Sequence, residues 1–471
     1  MLGLFNTLNM GARALQAQQL GVEITGQNLA NANNPAYTRQ KVVLQASSPT
    51  PTILGMEGTG VEVASIQQDS DQLLNSQIQS ESSVGGYWNA QQSSLTTAQS
   101  QLNEFLNLNS TSSTSDTSSP QNLSDQLNSL FNAFQSLATN PTDLPTRQSV
   151  VNAAQSLASG LNQASQGLST LNGQLNSSLT GDVSQANQLL SDIANLNSEI
   201  AKATASGGNA NDLMDSREQD LENLANLANF QTTSNSDGTV SVSIGGQELV
   251  AGSQLQDSLA TYDPGNGQLQ IQTATGKTPL TLTGGSIQGT IDARDETLAT
   301  LQDNLDTLAG SLITQVNGIY QNGYDLNGNS GAQFFTGSTA GDIAVNPALL
   351  NDPSQLQASG AANASADNSV ALQLAQLGAQ SVGTLGNQTF SGALSQNVAN
   401  FGNALSNAND QVDNYNSVNT MLLNQRDSVS GVSLEEEASN LITFQSAYEA
   451  SAKIISTVDQ MLQTAVEMKS S

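Results

Sequence analysis

Residues 150–175, VVNAAQSLASGLNQASQGLSTLNGQL, hold the longest regular apolar pattern in the chain. Their apolar residues recur at alternating intervals of four and three, at Val150, Ala154, Leu157, Leu161, Ala164, Leu168, Leu171 and Leu175. This spacing places all eight side chains on one face of a helix, as a seam between packed helices requires. The segment therefore predicts a long amphipathic helix in a mainly helical fold.

Similar spacing extends in both directions from this segment and predicts most of the other helices. A separate helix is expected around Leu190–Ile200, and others over residues 69–108, 123–137, 213–227, 291–319 and 370–428. A tract rich in serine and threonine at residues 110–120 and an irregular stretch at residues 323–370 predict loops.

The pattern changes to period two near residue 230. Residues 239–244, TVSVSI, alternate apolar and polar side chains, and Gly245-Gly246 separates them from a second apolar run. Two such runs joined by two glycines predict a β-hairpin. The pairs Leu269/Ile271 and Leu280/Leu282 predict further strands. Residues 230–285 are therefore expected to form a β module inside a helical chain.

Each end of the chain carries an amphipathic helix, the first expected to end near residues 31–35 and the last to span residues 434–468. Their apolar seams are Leu4, Leu8, Leu15, Val22 and Leu29 at one end, and Leu441, Phe444, Tyr448, Ile455, Val458 and Leu462 at the other. Gly11, Gln18 and Thr25 interrupt the first seam. Because chain ends fray unless they are held, we expect the two seams to meet each other or neighbouring subunits.

These patterns predict a mainly α, elongated, multi-domain protein with an inserted β module and with its N- and C-terminal helices paired as a coiled-coil-like axial domain. The expected divisions are an N-terminal axial helix, turn and extended segment (1–68), a long-helix bundle (69–229), the β module (230–285), return helices with an irregular insert (286–428) and the C-terminal axial helix (429–471).

The composition argues against most enzyme classes. The chain has 40 acidic residues, 11 basic residues, no histidine and no cysteine, for a net charge of −29. Imidazole bases, catalytic triads, disulfides and thiolate or imidazole metal sites are therefore excluded. The negative charge disfavours nucleic acid and anionic membrane surfaces. We expect no metal, no cofactor, no membrane span and no cleaved secretory signal.

Local motifs give little support for catalysis. Gly276-Lys277-Thr278 lacks the first glycine of a phosphate-binding loop, and the Asp325 loop departs from the calcium-binding pattern at its sixth and twelfth positions. The charged cluster at residues 212–220 is interpreted as helix capping and salt bridging, with Arg217 neutralising nearby carboxylates.

Four segments of the chain resemble flagellar axial proteins. Residues 28–40, NLANANNPAYTRQ, resemble the N-terminal signature of that group, and the ending YTRQ at 37–40 resembles that of the FlgK family of hook–filament junction proteins, although Ala36 stands where the family has glycine. Residues 430–441, SGVSLEEEASNL, are similar to the family's closing helix. The segments 213–224 and 289–335, the latter with GYDLNG at 323–328, also match.

The resemblance implies a structural component of the bacterial flagellum, not an enzyme. Such proteins are exported unfolded by the flagellar type III apparatus, with a chaperone, and polymerise outside the cell between the hook protein and the next junction protein or filament. The expected assembly interface comprises the two terminal seams and the turn. In that turn Asn31, Asn33 and Asn34 end the first helix, and Tyr37 and Arg39 anchor the extended segment.

Other interpretations remain open on the sequence alone. A flagellin-like protein or the second junction protein would share the terminal heptads. A secreted hydrolase could use paired carboxylates such as Asp292 and Asp295, since that chemistry needs no histidine. Nothing in the β module supports a peptidoglycan-cutting domain.

Overall fold

The computed structural model describes residues 2–52, 55–106 and 122–470. The predicted loop at residues 110–120 lies outside the described residues. The described part of the chain is mainly helical, with small antiparallel sheets, as its periodicity predicts.

Helices form the body of the molecule. They are α1 Leu2–Ala30, α2 Gln72–Leu106, α3 Leu123–Thr139, α4 Leu144–Ala205, α5 Asn211–Leu227, α6 Gly285–Asp292, α7 Ala299–Tyr320, α8 Pro347–Asn351, α9 Ser369–Leu377, α10 Phe390–Ser430 and α11 Leu434–Ser470. A π-helical segment, Ala293–Leu298, joins α6 to α7. Short 3₁₀ turns cover Pro353–Gln355 and Gly383–Leu385.

The strands form small antiparallel sheets. They are β1 Gln40–Ala46, β2 Thr50–Thr52, β3 Gly55–Glu57, β4 Val61–Gln68, β5 Phe230–Ser234, β6 Val240–Ile244, β7 Gln247–Ala251, β8 Gln254–Leu255, β9 Leu259–Tyr262, β10 Gln270–Thr273, β11 Phe335–Thr336 and β12 Ala344–Val345. β5 to β8 form a four-stranded sheet in chain order. The remaining pairs are β1 with β4, β2 with β3, β9 with β10, and β11 with β12.

Helix α4 is a single rod of 62 residues, about 93 Å long at 1.5 Å per residue. The separate helix predicted around residues 190–200 is therefore wrong, because no proline or turn sequence interrupts the chain after the 150–175 seam. The Asp143 carboxylate accepts the Thr146 N–H at the start of α4, and Pro145 lies in its first turn. This rod gives the molecule its elongated shape.

Two large apolar cores lie along α4. The first half of the helix packs with α3, α7, α9 and parts of α2 and α10. The second half packs with α5, α6 and the β module. A small third cluster joins Leu74 and Ile78 to Leu422. The β module is therefore held against the same rod that organises the bundle.

The predicted β-hairpin is present as β6 and β7. Gly245 and Gly246 form its turn with φ values of 55° and 79°, a left-handed conformation that glycine adopts readily. The strand predicted at Leu280/Leu282 is not formed, because only an isolated bridge pairs Pro279 with Gln272 there. Leu282 instead packs into the core beneath the sheet.

Strands β1 to β4 form a hairpin arm that runs back along α1. The Arg13 guanidinium donates to the Ser47 hydroxyl near the middle of the arm. Gly60 lies so close to Met10 that an added Cβ would stand 2.8 Å from the Met10 Cγ. Helix α1 therefore contacts the arm as well as the closing helix, α11.

The candidate assembly site at the chain ends

Helices α1 and α11 pack against each other in antiparallel orientation. Gly11 lies opposite Ile455, and Gly21 lies opposite the ring of Phe444. A Cβ added at Gly11 would stand 2.9 Å from the Ile455 Cγ1, and one added at Gly21 would stand 2.6 Å from the Phe444 Cδ1. The predicted pairing of the terminal helices is therefore confirmed.

The closest part of this contact uses small residues on α1. Gly11, Ala17 and Gly21 are buried, and Thr25 is only 3% exposed. Interpreting Gly11 and Thr25 as gaps in a leucine seam was therefore wrong. The missing side chain at each glycine is what lets a large apolar residue of α11 approach the α1 backbone.

The predicted seam residues of α11 lie at or beside this contact. Val458 is buried, and Leu441, Phe444, Ile455 and Leu462 are half-buried, whereas Tyr448 is 38% exposed. On α1, Leu4, Leu8, Leu15 and Val22 are half-buried, and Leu29 is 41% exposed.

The apolar stripe of α1 borders the contact instead of filling it. Val22 follows the buried Gly21, and Leu29 follows the buried Asn28. Successive residues of a helix are rotated by about 100°, so Val22 and Leu29 lie to one side of the buried face. The seven-residue spacing of Leu8, Leu15, Val22 and Leu29 keeps this stripe on one side of the helix. The pair therefore presents an apolar edge that the monomer covers only in part.

The turn after α1 is closed by asparagine side chains. The Asn31 amide donates to the Gln27 carbonyl, and the Asn34 side chain accepts the Ala36 N–H at 3.2 Å. The described non-glycine residues with positive φ do not include Ala36, so the turn needs no glycine there.

A buried polar cluster joins this turn to both terminal helices. Asn28 is 1% exposed and uses its whole hydrogen-bonding capacity. Its amide donates to the Gln40 carbonyl at 2.8 Å and to Glu437 Oε2 at 3.0 Å. Its oxygen accepts from the Tyr37 hydroxyl at 2.9 Å and the Gln40 N–H at 3.0 Å. We call Asn28, Tyr37, Arg39, Gln40 and Glu437 the polar hub.

Arg39 connects the hub to the start of α11. Its Nε donates to Glu437 at 2.9 Å and its terminal nitrogen to Glu436 at 2.7 Å. Burial opposes the charged form, but the bonds to these carboxylates raise the pKa of Arg39. The Glu437 side chain is only 2% exposed and that of Glu436 is 54% exposed, so Glu437 is the buried partner.

Acidic residues at the start of α5 hold the other side of the turn. Asp215 accepts the Thr38 N–H at 3.0 Å, and Asp212 accepts from the Gln40 side chain at 2.7 Å. The salt bridging predicted for Arg217 within residues 212–220 is not what its hydrogen bonds do, because Arg217 donates to Asn197 and the Gly238 carbonyl, although its charge lowers the pKa of the nearby Glu218, which burial raises. Burial is the main cause that raises the pKa of the Tyr37 hydroxyl to about 12, and the negative charge of Asp212 raises this pKa further.

Comparison with known proteins assigns the chain to a family. Residues 108–335 match the flagellar hook-associated protein FlgK helical domain, and residues 424–468 match the flagellar basal body rod FlgEFG protein C-terminal family. Flagellar hook-associated protein 1 of Bacillus subtilis (strain 168) is 27% identical over 99% of this chain and 98% of its own length. The chain belongs to the FlgK family.

Further FlgK relatives agree with this assignment. Flagellar hook-associated protein 1 of Salmonella typhimurium is 30% identical over 70% of this chain and 59% of its own length. The solved flagellar hook junction protein FlgK from Burkholderia pseudomallei superposes with a TM-score of 0.65 at 20% identity, covering 75% of this chain and all of that one. The latter likeness shows a common fold.

Other carboxylates singled out in this FlgK-family chain are engaged by protein groups. Asp292 accepts from the Tyr87 hydroxyl, and Asp295 pairs with Arg294. Asp325 accepts the N–H groups of Asn327 and Asn329 in a tight loop. Within the described ranges, no group of three acidic residues is arranged to hold a metal ion. None of the helices described is both long and apolar enough to cross a bilayer.

Proposed function

We propose that this chain is a structural subunit that joins the hook of the bacterial flagellum to its filament by self-assembly. The observation that carries the proposal is the antiparallel pair of terminal helices with its partly covered apolar edge. Membership in the FlgK family supports the same role, since the relatives are named as flagellar hook-associated proteins.

The apolar edge supplies the surface for contact between subunits. It combines Leu8, Leu15, Val22 and Leu29 of α1 with Tyr448 of α11, all half-buried or exposed in the single chain. Covering this surface in an assembly would remove apolar area from water and favour association. The interface predicted from sequence therefore remains our proposal for the contact between neighbouring subunits.

A helical lattice needs an interface between unlike faces. An antiparallel pair presents different residues on its two sides, so one side of a subunit can pack on the other side of its neighbour. Such head-to-tail contacts build rings or open helical arrays instead of closed dimers. We propose this contact within a layer, with hook protein on one side and the next junction protein or filament on the other.

The proposed role is non-enzymatic and extracellular. We propose export through the flagellar type III apparatus with a dedicated chaperone, as the resemblance implies. The divisions 1–68, 69–229, 230–285, 286–428 and 429–471 are kept as proposed domains, with 230–285 displayed outward from the axial helices.

The experiment replaces an apolar residue of the helix contact and tests function in cells. In bacteria that lack the chromosomal gene, Ile455→Asp should block incorporation, because it buries an unpaired charge opposite Gly11. These cells should form hooks, release filament subunits into the medium and fail to swim. Gln460→Asp, on the exposed side of α11, is the matched control and should restore swimming. Equal motility of the two strains would contradict the proposal.

A further inference from the structure

The axial unit, α1 with the hairpin arm and α11, is joined to the bundle without a shared apolar core. Of the described residues grouped into the three apolar clusters, none belongs to α1, the arm or α11. The chain itself crosses through two short connections, residues 69–71 and 431–433. The relative orientation of the two parts must therefore depend mainly on polar contacts.

Those polar contacts converge on one turn of α5. Asp215 accepts from the Thr38 N–H with one carboxylate oxygen and from the Gln68 side chain, at 2.9 Å, with the other. The same Gln68 amide donates to the Asn211 carbonyl at 2.9 Å. Asp215 thus holds both the beginning and the end of the arm, since Thr38 precedes β1 and Gln68 ends β4.

A cleft lies beside this attachment. It has a volume of about 690 Å³ and is bounded by the turn after α1, by α5 and by the end of α10. Its walls include Pro35, Glu218, Arg426 and Val429. Thr38 and Asp215 themselves line this cleft, so the attachment borders open space, and none of the three apolar clusters links the axial unit to the bundle across it.

We propose that Asp215 is the positioning residue of a joint, and that its two hydrogen bonds to the arm fix the angle between the axial unit and the bundle. Arg39 adds a second attachment, because its N–H donates to the Ser430 carbonyl at 3.0 Å, but this bond lies at the covalent connection itself. On the same turn of α5, Asp212 accepts from the Gln40 side chain and the Asn211 amide donates to it, and Asp215 is the carboxylate that accepts from both ends of the arm.

The surroundings of Asp215 make its contacts sensitive to substitution. Burial raises the pKa of this carboxyl, and its hydrogen bonds to Thr38 and Gln68 lower it, so the charge depends on those donors for solvation. Asp212 is the acidic neighbour that raises the pKa further. Removing the carboxylate leaves the Thr38 N–H without this acceptor and the Gln68 amide with only the Asn211 carbonyl, which favours other angles of the joint.

The test measures the angle directly in the full-length monomer. Spin labels are attached at Gln445→Cys on α11 and Ser184→Cys on α4, both exposed, in a chain with no native cysteine. Pulsed electron paramagnetic resonance should give a narrow distance distribution for the otherwise unchanged protein. Asp215→Ala should broaden the distribution and shift its mean, and Asp215→Asn, which keeps one acceptor, should give an intermediate result.

Two controls separate the joint from general unfolding. Labels at Glu23→Cys and Gln445→Cys report the helix pair alone and should keep their distance in the Asp215→Ala background. Asp220→Ala, on the same helix, should leave the Gln445–Ser184 distribution unchanged. An unchanged distribution in Asp215→Ala, or an equal broadening of the helix-pair distance, would overturn the proposal. Neither result bears on whether the terminal helices assemble.

Discussion

Glu437 and Asn28 are 409 positions apart in the chain and are joined by a hydrogen bond of 3.0 Å. Both residues are 1% exposed. The bond sets the register of the two terminal helices, because Asn28 also fixes the turn that follows α1. The end of the chain thus completes a polar site that the beginning cannot satisfy alone.

Replacing Glu437 by glutamine should loosen the start of both helices. In the unchanged protein, the two carboxylate oxygens of Glu437 accept from Asn28 and from Arg39. Glutamine has an NH₂ group in place of one of these oxygens, so one of the two hydrogen bonds is lost. Losing a buried, charge-assisted bond costs about 1–3 kcal/mol. Hydrogen exchange of the amides at residues 24–40 should accelerate accordingly.

Glu436→Gln provides the matched control for this prediction. That carboxylate also accepts from Arg39 but is largely exposed, and exposed ion pairs contribute only about 0–1 kcal/mol. Exchange rates as fast in Glu436→Gln as in Glu437→Gln would contradict the special role of the buried partner.

Gly21→Ala should separate the terminal helices despite alanine's higher helix propensity. The added methyl group would stand 2.6 Å from the Phe444 ring, well inside van der Waals contact. Overpacking of this kind typically costs about 1–3 kcal/mol. Limited proteolysis should therefore trim both chain ends faster than in the unchanged protein.

The control for Gly21→Ala lies on the same helix. Gly26 has nothing within 4 Å of an added Cβ, so Gly26→Ala should stabilise α1 by up to about 1 kcal/mol. If Gly26→Ala were trimmed as fast as Gly21→Ala, the effect would come from the helix itself and not from its contact with Phe444.

The helix pairing was predictable from sequence, but its contact surface was only partly so. The spacing of Ile455 and Val458 correctly marks the inner face of α11, because large apolar residues there meet a partner. On α1 the leucine spacing misleads, since the close contact is made by Gly11 and Gly21, whose small size leaves no hydrophobic signal.

The role of the acidic residues on α5 was not predictable from local pattern. Asp212 and Asp215 share a helix with Arg217, which suggests local neutralisation. Their actual partners, Thr38 and Gln40, lie more than 170 positions away, and backbone or amide donors carry no charge that a sequence pattern could match.

Cysteine cross-linking tests the antiparallel register. Gly21 opposite Phe444 and Asn28 opposite Glu437 place Ala14 opposite Ser451 in the same register. Ala14→Cys with Ser451→Cys should form a disulfide under mild oxidation, since no native cysteine competes. Ala14→Cys with Asn440→Cys is displaced by 11 residues, about 16 Å along the helix, and should not. Equal yields from both pairs would contradict a fixed register.

The last prediction concerns the acid stability of the β module. The Asp257 carboxylate accepts the N–H groups of Gly276 and Thr275, at 3.0 Å and 2.9 Å, and so closes the turn after β10. These bonds lower the pKa of Asp257 from 3.8 to about 2. Since the folded-state pKa is depressed, the carboxylate stabilises the fold fully above pH 3.8 and loses this contribution as the pH falls toward 2.

Asp257→Asn should therefore lower the free energy of unfolding at pH 7, and the difference from the unchanged protein should shrink steadily below pH 3.8 in urea titrations of the full chain. A difference that stays constant down to pH 2 would show that the charge of Asp257 does not stabilise the turn.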